Sequence, residues 1–216
     1  MSACRNAYND FVLYHNFRHI VDVLQAVFYF LLQIGILPPY PNADGEQVPI
    51  EDLAPVASLL QPFDALTLLI SAIGHDVGHP GVNNAFLVAL NAPLAQLYND
   101  RSVLEAFHCA AYSQLLRRYW PEAFADIPMR KLMINSILAT DMGLHFKYMI
   151  DMGNLQEKLS ANDDCIDGWT PKALEETRDL ICGLLMKCAD ISNVVRSSLV
   201  ASRKQSLTLF RHVNMR

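Results

Sequence analysis

The sequence contains no Cys-x-x-Cys pair, no repeat, and no strand-type alternation that lasts more than a few residues. Its five cysteines, Cys4, Cys109, Cys165, Cys182 and Cys188, are odd in number and scattered. That pattern argues against a disulfide framework and against a thiolate zinc site, and it fits a reducing, cytoplasmic setting. Residues 1–10 are polar and hold no signal-peptide core. Long apolar runs are missing as well. The longest candidate, Ile20 to Leu37, is broken by Asp22, Gln25 and Gln33 and is short for a span of about 20 residues, so a buried helix is expected and no membrane span. Charged residues make up only 18% of the chain and the net charge is −5, which supplies no electrostatic reason for nucleic-acid binding. No acidic residue follows Asp190, whereas Arg196, Arg203, Lys204, Arg211 and Arg216 do, so the chain up to Asp190 carries −10. What is abundant is apolar: 52% of 216 residues, enough for one domain with a sizeable core.

The pattern reads all-α. A first helix is expected from about Phe11 to Ile36, stopped by Gly35 and the Pro38-Pro39 pair. Residues 38–62 hold six prolines and read as a connection with little regular structure. The apolar stretch Ala65 to Gly74 resumes the helix and delivers His75. Short helices follow at Asn84 to Leu90 and Pro93 to Tyr98. Ser102-Val103-Leu104-Glu105 has the spacing of a capping box that opens a longer helix. Two more helices are expected over Met129 to Thr140 and His145 to Leu159. After a polar loop, Ser160 to Trp169, another opens at Thr170-Pro171, with proline at its favoured first position.

Four of the seven histidines stand in tight polar groups. His15 and His19 are four apart, which on a helix puts both imidazoles on one face. His75-Asp76-Val77-Gly78-His79 repeats the spacing and adds a carboxylate beside the first histidine. Imidazole nitrogen with carboxylate oxygen suits zinc, iron or manganese. Asp190 is a carboxylate late in an apolar helical stretch, Leu180 to Ala189, where a buried charge needs a partner such as a metal. Each of these has an ordinary reading too. A single His-x-x-x-His pair can be a polar surface pair, Asp190 can end a helix, Glu105 can complete a capping box, and Thr140-Asp141 can close a helix. Their co-occurrence in one helical chain favours a metal site.

That co-occurrence resembles the class I cyclic nucleotide phosphodiesterases, a branch of the His-Asp metal hydrolases. The matching blocks are Tyr14-His15-Asn16 with His19, and His75-Asp76-x-x-His79-Pro80-Gly81-Val82-x-Asn84. Further blocks are Tyr98-Asn99-Asp100 with Ser102 to Glu105 and His108, Ala139-Thr140-Asp141-Met142, and Cys188-Ala189-Asp190-Ile191-Ser192-Asn193. The resemblance implies an all-α phosphodiesterase-type catalytic core that hydrolyses cyclic AMP or cyclic GMP to the 5′-monophosphate in signalling. It implies two divalent metals. One is a tight Zn2+ on His19, His75, Asp76 and Asp190, and the other a weaker Mg2+ or Mn2+ bridged through Asp76. His15 takes the part of the proton donor to O3′. His79, Asn84, Glu105, His108, Thr140 and Asp141 match positions that orient water, ligands or phosphate, and Tyr14, Met142, Ile191 and Asn193 match the nucleotide pocket.

The resemblance stops soon after Asn193. Family helices that would supply a glutamine and a phenylalanine against the purine have no counterpart, and the N-terminal side is short, so a core incomplete at both ends is expected. On this reading residues 1–196 are a partial catalytic domain and 197–216 a divergent basic tail. The alternative to an enzyme is a fragment that keeps the metal site with little or no activity.

Overall fold

Proline and asparagine set many of the helix starts. The computed structural model describes residues 2–38, 55–163 and 165–199, without the side chains of 55, 56 and 193–199. Most of the proline-rich connection, the Asn193 side chain and residues 200–216 of the basic tail therefore lie outside the described residues. Among those described, ten α-helices follow one another without a strand. They are α1 (Ser2–Arg5), α2 (Phe17–Gln33), α3 (Pro62–Gly74), α4 (Asn84–Ala89), α5 (Pro93–Leu97), α6 (Val103–Tyr119), α7 (Pro121–Ala125), α8 (Ile127–Leu138), α9 (His145–Ser160) and α10 (Pro171–Leu199). Short 3-10 turns at Pro55–Leu59 and Met142–Leu144 complete the set. Four helices, α3, α5, α7 and α10, open on proline, whose missing N–H is no loss in a first turn. No helix among the described residues is long and apolar enough to cross a membrane.

Two expected helices change their bounds. The first begins at Phe17 and not at Phe11, because Asn16 is extended (φ −119°, ψ 178°) and caps it. It ends at Gln33, where Gly35 turns left-handed (φ 80°) and the N–H groups of Ile36 and Leu37 close on the carbonyl of Leu31. The last helix runs on to Leu199, so Asp190 is an interior residue of α10 and not a helix-end group.

Helices α2, α3, α8 and α10 form the central bundle. The α2 stripe Val23, Ala26, Val27 and Leu31 recurs at helical spacing and packs with Leu68 and Ala72 of α3, Leu132 of α8, and Leu185 and Met186 of α10. Each fully buried Leu or Val contributes about 1.5–3 kcal/mol. The hydroxyls that α3 buries are satisfied within the helix, Thr67 on the Phe63 carbonyl (2.8 Å) and Ser71 on that of Thr67 (2.7 Å). A second cluster joins Tyr8, Ile20, Ile70, Tyr112, Leu116, Met133 and Ile137, and brings α6 against α3. Helix α9 is attached differently. It has no buried residue, Phe146 and Ile150 face solvent, and a groove of about 710 Å³ that includes Asn135, Tyr148, Asp151, Lys158 and Thr177 lies between it and α8 and α10.

The crossing of α6 over α3 depends on Gly74. A Cβ there would meet the Tyr112 ring at 2.2 Å, and that ring is held by its hydroxyl on the Ile70 carbonyl (2.8 Å). Gly74→Ala is expected to destabilise the fold by about 1–3 kcal/mol through overpacking, read as a lower urea midpoint. An unchanged midpoint would mean that the crossing yields freely.

Candidate metal centre

Two bends of the chain and the interior of α10 converge on one point. The Asn16 side chain accepts the N–H groups of Arg18 (3.0 Å) and His19 (3.4 Å), which places His19 in the first turn of α2 with its ring buried. His15 precedes the cap, so the two histidines do not share a helix face. The bend turns their rings edge to face, with centroids 5.7 Å apart. Helix α3 ends at Gly74, His75 is its C-cap, and the chain then turns through Gly78 (φ 77°), a conformation glycine adopts without cost. His75 and His79 therefore diverge, contrary to the helical spacing. His79 stacks on His15 (3.9 Å, 14°) and lies 5.5 Å from His108, while His19 lies 5.5 Å from His75. Five imidazoles form one continuous file.

The N-terminal segment braces this turn from behind. The Gly78 N–H donates to the Ala7 carbonyl (3.0 Å) and the Asn9 amide to that of His79 (2.9 Å). The Tyr8 hydroxyl (2.8 Å) and Cys4 thiol (3.2 Å) both donate to the Ile73 carbonyl. These contacts end on backbone oxygens, so sequence reasoning had no signal for them.

Asp190 reaches the point from α10. Its Oδ1 lies 2.9 Å from His19 Nε2 and 3.4 Å from His75 Nε2. Asp76 Oδ2 lies 3.6 Å from His19 Nε2 and 3.5 Å from His75 Nε2, while its Oδ1 faces His108 Nε2 at 3.7 Å. Ligand atoms of His19, His75, Asp76 and Asp190 all fall within 4.8 Å of one another, so this group can hold a metal ion. The fit is supported by His75 Nε2 and Asp76 Oδ2, which are buried without completing a hydrogen bond. In His75 the other nitrogen, Nδ1, faces the Ala72 carbonyl (2.9 Å). A carbonyl only accepts, so Nδ1 carries a proton, and Nε2 is the nitrogen turned to the site, where a metal would replace its proton. Burial depresses the basicity of His75, but the charges of Asp76 and Asp190 outweigh it and leave its pKa at about 9. Burial would raise the Asp190 carboxyl, yet the two histidines hold it well below the ordinary range.

Asp76, His79 and His108 form a second group of the same compactness. His79 is set differently from His75. Its Nδ1 accepts the Gly81 N–H (2.9 Å), and burial pushes its pKa down to about 4, so at neutral pH the ring is neutral with its proton on Nε2. It offers a donor to the site, not a lone pair. His108, with Nδ1 on the Val77 carbonyl (2.8 Å), is likewise lowered by burial. His15 is lowered too, for the same reason.

The capping box expected at Ser102 does not form. Ser102 is left-handed (φ 42°, ψ 48°), which swings its hydroxyl away from the helix and onto Asp141 Oδ2 (2.7 Å). Asn84 takes over both halves of the box. Its oxygen accepts the Leu104 N–H (2.8 Å) and its amide donates to Glu105 (2.9 Å), whose carboxyl is raised by burial. Asp141 also accepts the Gly143 N–H (2.7 Å), and the Thr140 hydroxyl donates to the Ile137 carbonyl (2.7 Å). Tyr14, Met142 and Ile191 are exposed, and the Asn193 side chain lies outside the described residues. Lys187 is buried and was overlooked in the apolar stretch Leu180 to Ala189, where a lone lysine is the signal.

A helical bundle with a buried His/Asp cluster of this kind is the architecture of metal-dependent hydrolases. The family profile described as 3'5'-cyclic nucleotide phosphodiesterase matches residues 14–211, and the chain belongs to that family. It is 30% identical over 200 residues to 3',5'-cyclic-nucleotide phosphodiesterase 2 of Saccharomyces cerevisiae, across 92% of this chain and 30% of that protein. It is 34% identical over 194 residues to the mouse high affinity cGMP-specific 3',5'-cyclic phosphodiesterase 9A, across 87% of this chain and 30% of that protein. The crystal structure of yeast caPDE2 superposes with a TM-score of 0.69 at 38% identity, covering 88% of this chain and 38% of that one. The chain thus spans about three tenths of the length of these two curated relatives.

Asn84→Ala would leave the Leu104 N–H and the Glu105 carboxyl without partners, at a cost of roughly 1–3 kcal/mol. Chemical denaturation should show that loss, and amide exchange should rise in the first turn of α6. Unchanged exchange there would mean that water replaces the Asn84 side chain.

Proposed function

We propose that the protein hydrolyses 3',5'-cyclic nucleotides, cyclic AMP or cyclic GMP, to nucleoside 5′-monophosphates in cyclic-nucleotide signalling. The observation that carries this reading is the buried convergence of His19, His75, Asp76 and Asp190 from three helices in a chain of this family. Two imidazoles and two carboxylates make a donor set suited to Zn2+, and the second oxygen of Asp76, turned toward His108, suits a shared ligand to a weaker Mg2+ or Mn2+. When bound, the metals supply Lewis acidity that activates the attacking water and neutralises charge on the phosphoryl oxygens. The remaining roles fall to the chain's own side chains.

His15 stands beside the ligands without joining them and donates the proton that O3′ gains as its bond to phosphorus breaks. The negative charge of the cyclic phosphate favours the protonated ring, against the burial that lowers it. His79 offers its Nε2–H to water or phosphate and holds His15 by stacking. Glu105, fixed by Asn84, accepts protons from water, and His108 keeps a free Nε2 beside Asp76. Thr140, whose proton is committed to the Ile137 carbonyl, can only accept, and Asp141 fixes the turn beside it. Tyr14, Met142, Ile191 and Asn193 receive the base, and the exposure of the first three is that of a pocket wall open to a ligand. Five free thiols fit a cytoplasmic protein.

Metal analysis tests the ligand set. Purified protein should hold one tight zinc and one exchangeable Mn2+, and Asp76→Ala should hold neither; retention of both would sink the bridging role. His15→Ala separates acid from ligand. It should keep the tight zinc while kcat falls by about 10²–10⁴-fold, and loss of zinc instead would make His15 a ligand.

A further inference from the structure

Lys187 is the largest fully buried side chain among the described residues, with 2% of its surface exposed, and none of the roles above uses it. Its ammonium donates to the carbonyls of Ala139 (3.0 Å) and Asp141 (2.9 Å) and stands 5.8 Å from the Tyr148 ring centre. Ala139 is the C-cap of α8, so its carbonyl belongs to the set that a helix end leaves unpaired and that carries the negative end of the helix dipole. A lysine of α10 thus caps α8 from outside. One turn earlier on the same face, Gly183 lets α10 approach closely, for a Cβ there would lie 3.1 Å from that of Ala139 and 3.0 Å from the Tyr148 ring. One turn later stands Asp190. The carbonyls of the residues on both sides of Thr140 are therefore tied to the helix that carries Asp190. From the other side, the Ser102 hydroxyl and the Gly143 N–H hold the Asp141 carboxylate.

We propose that Lys187 is a positioning residue of the metal site: it fixes the turn from Ala139 to Asp141 against the helix that bears Asp190. It thereby sets where Thr140 and Asp141 stand relative to the weaker metal. The proposal rests on the two-metal reading given above. Burying an ammonium is costly, and an apolar side chain of similar shape would pack as well, so a purely structural role would not call for lysine. The two carbonyls it meets flank Thr140, and that placement is what an apolar residue could not supply.

The experiment is a Mn2+ titration of zinc-loaded protein, followed by electron paramagnetic resonance, with zinc content and thermal midpoint measured alongside. Lys187→Met removes both bonds, and Lys187→Gln, the second variant should the first not fold, keeps one amide donor. Ser102→Ala releases the same turn from the opposite side. Each variant is expected to weaken Mn2+ binding by about 10–100-fold while one zinc remains bound. The Lys187→Gln/Ser102→Ala double variant should lose less than the product of the two, because both act through one turn. Wild-type protein without a Mn2+ site would sink the two-metal reading and this proposal with it. A wild-type Mn2+ site that neither Lys187 variant weakens would overturn the proposal alone. Parallel loss of zinc and Mn2+ would make Lys187 a structural cap only, and would overturn it too.

Discussion

The 2.9 Å contact between His19 Nε2 and Asp190 Oδ1 joins residues 171 apart in sequence and locks the start of α2 to the middle of α10. Around it the fold keeps the Asp190 carboxylate ionised inside a bundle, where an isolated charge would cost several kcal/mol or give up its ionisation. The compensation is mutual: His75 is raised to about 9 by the same carboxylates whose charge it stabilises. Without metal, a proton on His75 does part of the work of a cation. The tautomer-fixing carbonyls of Ala72 and Val77 and the N-terminal brace behind the His75–His79 turn all serve to keep these groups facing one another.

The convergence of these residues was partly legible in the sequence because they are polar residues in apolar surroundings. Asp76 beside His75, and Asp190 after Leu180 to Ala189, stand out for that reason, and the helix positions followed from apolar periodicity. The errors share a cause. A His-x-x-x-His spacing is equally compatible with a helix face and with a helix end, and both pairs proved to straddle ends, at Asn16 and at Gly74. Ser102 and Glu105 have capping-box spacing, but a left-handed backbone at Ser102 and competition from Asn84 redirect both side chains to other elements. Such competition depends on tertiary neighbours, and no local pattern reports it. Lys187 was hidden for the opposite reason: one charge in an apolar stretch reads as noise until its two carbonyl partners, 46 and 48 residues away, are in place.

The division of labour among the histidines rests on which ring nitrogen the backbone claims. His75 and His108 donate from Nδ1 to a carbonyl and turn Nε2 toward the carboxylates, whereas His79 accepts an N–H on Nδ1 and keeps its proton on Nε2. Identical side chains within one file thereby become acceptors or donors, and the selection is made by turn geometry at Ala72, Val77 and Gly81, not by the residue type.

Helix α9 contributes no buried residue, and a groove of about 710 Å³ lies along it. Few apolar contacts oppose its release, so its local opening free energy lies far below that of the bundle formed by α2, α3, α8 and α10. It is joined to the site through Met142–Leu144. The Met142 side of the site is therefore its loosely packed side, whereas His19, His75, Asp76 and Asp190 are held by the bundle itself.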